Sequence, residues 1–188
     1  YINKWYKKNM DLFYEYDLTY DILLNCVKHS NVHFRKDLKS FLDFLYKHNI
    51  PLIILSAGIG NVIVEVLKLN NCLYDNIHII SNFIEFENNK MKPFESKMIH
   101  SCNKSISNLP EDFKNNISKK DFILLFGDLI EDLSMVPKED HNRTLCFGFL
   151  DKKINDNLEF YKNNFDVVLT NNSSYEDVEN VLNTIKND

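Results

Sequence analysis

Two aspartates four residues apart are the first feature that suggests chemistry. Gly127-Asp128-Leu-Ile-Glu-Asp132 follows the all-apolar run Phe122-Ile-Leu-Leu-Leu-Phe126. An aspartate at the end of such a run, and a second on the first turn of a following helix, converge on one spot. Carboxylates joined by phosphate oxygens suit Mg2+, a hard cation that keeps several waters. A helix-capping Asp with an acidic first turn has the same appearance. Ser56-Ala57-Gly58-Ile59-Gly60 likewise follows an apolar run, Leu52-Ile-Ile-Leu55, and opens a helical stretch. A helix N-terminus presents free N–H groups and the positive end of a macrodipole, a natural seat for phosphate. Ser56 adds a hydroxyl donor, although an N-cap serine in a tight turn reads the same way. The loop is neither GxGxxG nor GxxxxGK, which excludes those nucleotide loops. A phosphate site also wants a cation, but the lysines are too many for spacing to select one.

The elements that must carry these groups alternate. Residues 3–17, 19–29 and 33–49 repeat apolar side chains at three- and four-residue spacings and read as helices. Apolar runs at 52–55, 77–80, 122–126, 144–149 and 167–170 read as strands buried between helices. Helices are predicted at 61–70, 95–104, 110–118, 152–160 and 174–186, and a hairpin at 83–91 turning on Asn88-Asn89. Strands alternating with helices imply crossovers and a mainly parallel α/β sheet. The chain holds four glycines, at 58, 60, 127 and 148, three of them in the two loops just described. Glycine serves backbone that must take a positive φ or approach a ligand closely, so these strand ends look shaped for a ligand. In open α/β sheets ligands bind at the carboxyl ends of strands.

Composition narrows the classes. The 188 residues are 44% hydrophobic and 26% charged, which suits one globular domain with at most a small appendage. Twenty-seven acids against 22 bases leave a net charge of −5. A broad nucleic-acid surface needs a basic excess, so nucleic acid is not expected as a partner. No apolar run approaches the roughly 18 residues that span a bilayer, so no membrane partner is expected. Four cysteines with no CxxC pair suggest reduced thiols and a cytoplasmic location.

Taken together, the motifs resemble the haloacid dehalogenase (HAD) superfamily. In order and spacing, IPLIILSAGIGNVIVEVL, ISNFIEF, MIHSCNK and LLFGDLIEDLSM resemble the cytosolic pyrimidine 5′-nucleotidases within it. The likeness covers nearly the whole chain. It implies a Rossmannoid parallel sheet flanked by helices, with residues 1–32 the C-terminal part of a helical cap and 33–188 the core. It implies that Ser56 and Ala57 bind the substrate phosphate and that Lys104 is the phosphate lysine. Asp128 becomes the Mg2+ ligand and Asp132 the acid that steadies the metal shell. Asn9 falls where family members carry a serine near the base. Trp5 and Tyr6 match cap aromatics near the nucleotide, although their spacing fits core residues equally. His100, four residues before Lys104, fits either a site-facing or a structural role.

The implied activity is Mg2+-dependent hydrolysis of pyrimidine nucleoside 5′-monophosphates through an aspartyl phosphate, by a monomer. The family's nucleophile lies in a DxDxT motif on the first core strand, and no such motif occurs here. The nearest candidate, Asp17-Leu-Thr-Tyr-Asp21, does not follow an apolar strand. The chain begins with Tyr1 and reads as the C-terminal part of something longer, inactive by itself. Two other readings stay open: a nucleotide-binding or regulatory module without catalysis, and a HAD phosphatase for another small phosphate such as phosphoserine.

Overall fold

A computed structural model describes residues 1–106, 109–171 and 173–185. Its chain divides into two compact units, residues 1–34 with 39–100, and residues 35–38 with 101–188.

The first unit opens with helices α1 (Ile2–Glu15), α2 (Tyr20–Lys28) and α3 (Leu38–Lys47). Strand β1 (Leu52–Ile59) then pairs in parallel with β2 (Ile77–Asn82), with α4 (Gly60–Leu69) as the crossover between them. Parallel neighbours require such a crossover. A short antiparallel hairpin follows, β3 (Phe86–Glu87) and β4 (Lys90–Met91). Asn88 and Asn89 turn it with φ of 49° and 69°, the left-handed pair that a tight hairpin needs. Met10, Ile84 and Met91 are buried together, with Leu18, Ile59 and Phe86 packed around them.

The second unit holds α5 (Glu111–Ser118), strands β5 (Ile123–Gly127), β6 (Thr144–Leu150) and β7 (Val167–Thr170), and helices α6 (Ile154–Lys162) and α7 (Tyr175–Ile185). The strands pair in parallel in the order β5-β6-β7. Phe126 stacks on Phe147 with centroids 4.7 Å apart, and Phe149 and Tyr175 complete an aromatic layer beside them. The predicted end of the last helix, residue 186, lies outside the described residues.

Three expectations fail, each for a physical reason. The helix predicted from residue 33 starts at Leu38. Arg35 is drawn instead to the end of β7, donating to the Thr170 carbonyl at 2.8 Å and pairing with Asp151, over the Phe149 ring. Asp37 then takes a φ of 60°, which no helix accommodates. The helix predicted over 95–104 is absent, because the Ile99 backbone spends both its N–H and its carbonyl on the Asn82 side chain. None of the described glycines has a positive φ. Their smallness makes room for protein atoms: a Cβ would meet the Phe83 ring at 2.6 Å from Gly60, Asp132 Cβ at 2.4 Å from Gly127, and the Phe165 ring at 2.5 Å from Gly148.

Candidate active site

In the second unit the site begins where β5 ends. Gly127 closes the strand, Asp128 is exposed, and a 3-10 helix runs from Ile130 to Met135. Asp132 sits inside that first turn and is 2% exposed. Its Oδ2 accepts from the Asp128 N–H at 3.0 Å and the Leu129 N–H at 3.2 Å. The carboxylate therefore caps the turn that presents Asp128. Its Oδ1 lies 2.5 Å from Lys104 Nζ, and Lys104 is itself largely buried. An ion pair this dry is held in a medium of low polarity, where removing either partner strands the other. The missing Cβ of Gly127 is what lets Asp132 fold back against the strand end.

Thus Asp132 meets Lys104 and caps the turn that carries Asp128, all at the end of β5. Sequence spacing could not select Lys104. Tyr161, on α6, was missed altogether: its hydroxyl donates to the Asp128 carbonyl at 2.5 Å. Burial raises the Tyr161 hydroxyl above its ordinary pKa, and the charges of Asp128, Asp132 and Glu131 push the same way. It stays a protonated donor. It belongs to no motif, and a donor to a backbone carbonyl leaves no sequence signal.

In the first unit, Ser56 lies where the β1–β2 ladder loses register, between Leu55 and Ile59. The strand runs on through the predicted loop to Ile59, and α4 begins at Gly60 with no side-chain cap. Ser56 Oγ accepts from the Gly58 N–H at 3.1 Å. The Ala57 carbonyl accepts from Asn82 at 3.0 Å.

Asn9, on α1, spends its amide on the Trp5 carbonyl at 2.8 Å. Trp5 is 64% exposed, so the core reading fails for it. It meets Tyr6 edge-on at 5.0 Å, and Tyr6 lies 6.2 Å from the ring of His100, which is buried. Asp17-Leu-Thr-Tyr-Asp21 is a helix junction: Thr19 caps α2 by accepting from the Ile22 N–H, and Asp21 accepts from Asn89. Neither aspartate stands at a strand end.

Parallel strands joined by helical crossovers, with Asp128 just past the end of one of them, describe a HAD-like α/β protein. The model of the family described as pyrimidine 5′-nucleotidase (UMPH-1) matches residues 1–186, and the chain belongs to that family. It is 33% identical over 182 residues to the 7-methylguanosine phosphate-specific 5′-nucleotidase A of Xenopus laevis, covering 95% of this chain and 63% of the relative. It is 32% identical over 184 residues to the human 7-methylguanosine phosphate-specific 5′-nucleotidase, covering 95% of this chain and 61% of the relative. Among solved structures, cytosolic 5′-nucleotidase IIIB bound to cytidine superposes with a TM-score of 0.72 at 27% identity, over 89% of this chain and 56% of that one. The chain therefore spans about three fifths of the length of these relatives.

Proposed function

We propose that the protein containing this chain hydrolyses nucleoside 5′-monophosphates to nucleoside and phosphate, with Mg2+, through an aspartyl phosphate. The observation that carries the reading is the buried Lys104–Asp132 pair beneath an exposed Asp128. The family match and the nucleotidase names of the relatives support it. Residues 1–32 are proposed as part of a cap, and the location as cytoplasmic. No helix among the described residues is long and apolar enough to cross a membrane.

The donor set fits the metal in kind. Asp128 is exposed, and its carboxylate makes no hydrogen bond or ion pair among the described residues. Those residues hold no cluster of three or more His, Cys, Asp or Glu side chains able to grip an ion. Asp128 would thus supply one ligand, with waters and the phosphate as others, which is how Mg2+ is usually held. Bound there, Mg2+ supplies charge neutralisation between carboxylates and the dianionic substrate. Asp132 has both oxygens engaged within the protein, so it orients the Asp128 turn and the ammonium. Lys104 and the Ser56 hydroxyl neutralise developing charge on phosphoryl oxygens. Ala57 contributes backbone next to Ser56. The attacking carboxylate is proposed to come from outside these 188 residues, since none of them forms a DxDxT motif.

Phosphate release from CMP and UMP by the full-length protein tests this. Lys104→Ala and Asp128→Ala should each lower it by at least ~10²–10³-fold. Unchanged turnover in Asp128→Ala ends the assignment. A second reading, 7-methylguanosine monophosphate as the preferred substrate, is favoured by the names of the relatives. That base is cationic, and an exposed indole attracts a cation by ~0.5–1 kcal/mol. Trp5→Leu should then raise KM about twofold to fivefold more for 7-methylguanosine monophosphate than for CMP. Equal effects on both would leave the pyrimidine reading in place.

A further inference from the structure

The end of β1 and the start of α4 are gripped by four consecutive residues, 81–84, at and just past the end of β2. Ser81 Oγ donates to the Gly58 carbonyl at 2.9 Å. Asn82 Nδ2 lies 3.0 Å from the Ala57 carbonyl, 3.2 Å from that of Gly58 and 2.8 Å from that of Ile99. Asn82 Oδ1 accepts from the Ile99 N–H at 2.8 Å. Phe83 fills the space above Gly60, and the Ile84 backbone is bracketed by the Asn61 amide, which accepts at 2.8 Å and donates at 3.1 Å.

Asn82 is the centre of this grip. It is 2% exposed, yet every polar atom of its side chain is used. A buried amide that loses its partners costs about 1–3 kcal/mol, so a fully satisfied one allows very few alternative geometries. The two segments it ties are not ordinary ones. Ala57 and Gly58 directly follow Ser56, and Ile99 stands five residues before Lys104.

We infer that Asn82 is a positioning residue for phosphate handling. It holds the Ser56–Gly58 stretch of β1 against Ile99 in one fixed arrangement within the first unit, with Ser81 as its auxiliary. The inference rests on the proposed hydrolase reading, because Ser56 acts on phosphate only within it.

The test uses the full-length protein with CMP, UMP and 7-methylguanosine monophosphate as substrates and inorganic phosphate as inhibitor. Asn82→Asp keeps the volume and the acceptor but removes both donors. It should lower kcat/KM by about 10–100-fold, the range for residues that orient a primary ligand. The inhibition constant for inorganic phosphate should weaken in step. Ser81→Ala should show a smaller loss of the same kind, restored by Ser81→Thr. All assays are run well below each variant's Tm. An Asn82 with a structural role alone lowers Tm but leaves kcat/KM and phosphate inhibition of the folded protein at wild-type values, and that result overturns the inference. If the Asn82 variants do not fold, Ser81→Ala decides: weakened phosphate inhibition supports the inference and wild-type values overturn it. A wild-type protein that releases phosphate from none of the three nucleotides overturns the hydrolase reading and takes this inference with it. That outcome is distinct from an active wild type with unaffected variants.

Discussion

Asp128 and Asp132 share a motif but live in opposite environments. Asp128 is exposed and its carboxylate makes no hydrogen bond or ion pair among the described residues, while Asp132 is sealed under the strand end with two N–H donors and an ammonium. Replacing them should therefore separate stability from activity. Asp132→Ala strands the Lys104 charge and uncaps the turn, at a cost of about 3–5 kcal/mol in urea unfolding of the full-length protein. Asp128→Ala removes a solvated carboxylate and should stay within about 0.5 kcal/mol of wild type while phosphate release is lost. Equal destabilisation by the two would mean that the environments differ less than their burial says. The pair was legible in the sequence because both members sit at a fixed offset from an all-apolar strand. Ser56, expected in a loop after the strand, lies within β1 instead. Asn82, Ser81 and Tyr161 were not legible, since each acts by donating to a carbonyl of a distant backbone segment. Hydrogen bonds of that kind follow from tertiary placement and obey no spacing rule.

Elements show a similar division. Strands β5, β6 and β7 are continuous apolar runs flanked by helices, and the sequence places each to within one or two residues. The hairpin turn at Asn88-Asn89 is equally local. What escaped was decided by tertiary bonds, as when Arg35 leaves a helical pattern to reach Thr170 and Asp151. The α2–α4 contact is another such bond. Glu65 is buried on α4, and its Oε1 accepts from Tyr20 of α2 at 2.7 Å and from Lys68 at 2.8 Å. Burial alone would raise its carboxyl, but the Lys68 and Tyr20 hydrogen bonds outweigh it and hold the pKa below the ordinary glutamate value. A carboxyl depressed in the folded state adds stability above its unfolded pKa and loses it as pH falls through the folded one. The stability difference between wild type and Glu65→Gln should thus be constant near neutrality and shrink below about pH 4.3, the ordinary glutamate value. Denaturant midpoints at pH 7 and pH 3 measure it. A difference that grows on acidification would mean that burial, rather than the two donors, controls this group.

At the scale of the whole molecule, each unit carries a parallel ladder that stops short. Among the described residues β1 pairs only with β2, and β5 pairs only with β6. Of these two strands, β1 holds Ser56 and β5 leads into Asp128. Each therefore has one edge with no strand partner among the described residues, and such an edge is a template for another strand. Beside β5, Phe122 is 57% exposed, which adds apolar surface to the open edge. The 188 residues expressed alone should then self-associate, bind a hydrophobic dye and release no phosphate from CMP. A longer form that supplies a further strand and the attacking carboxylate should be monodisperse and active. Sedimentation velocity and a phosphate-release assay on both forms compare them directly. A monodisperse 188-residue chain that unfolds cooperatively would show that the open edges are protected within the chain itself. If it also turned over CMP, the attacking carboxylate would have to be sought among its own aspartates and glutamates, and the proposed division of labour between this chain and residues outside it would fall.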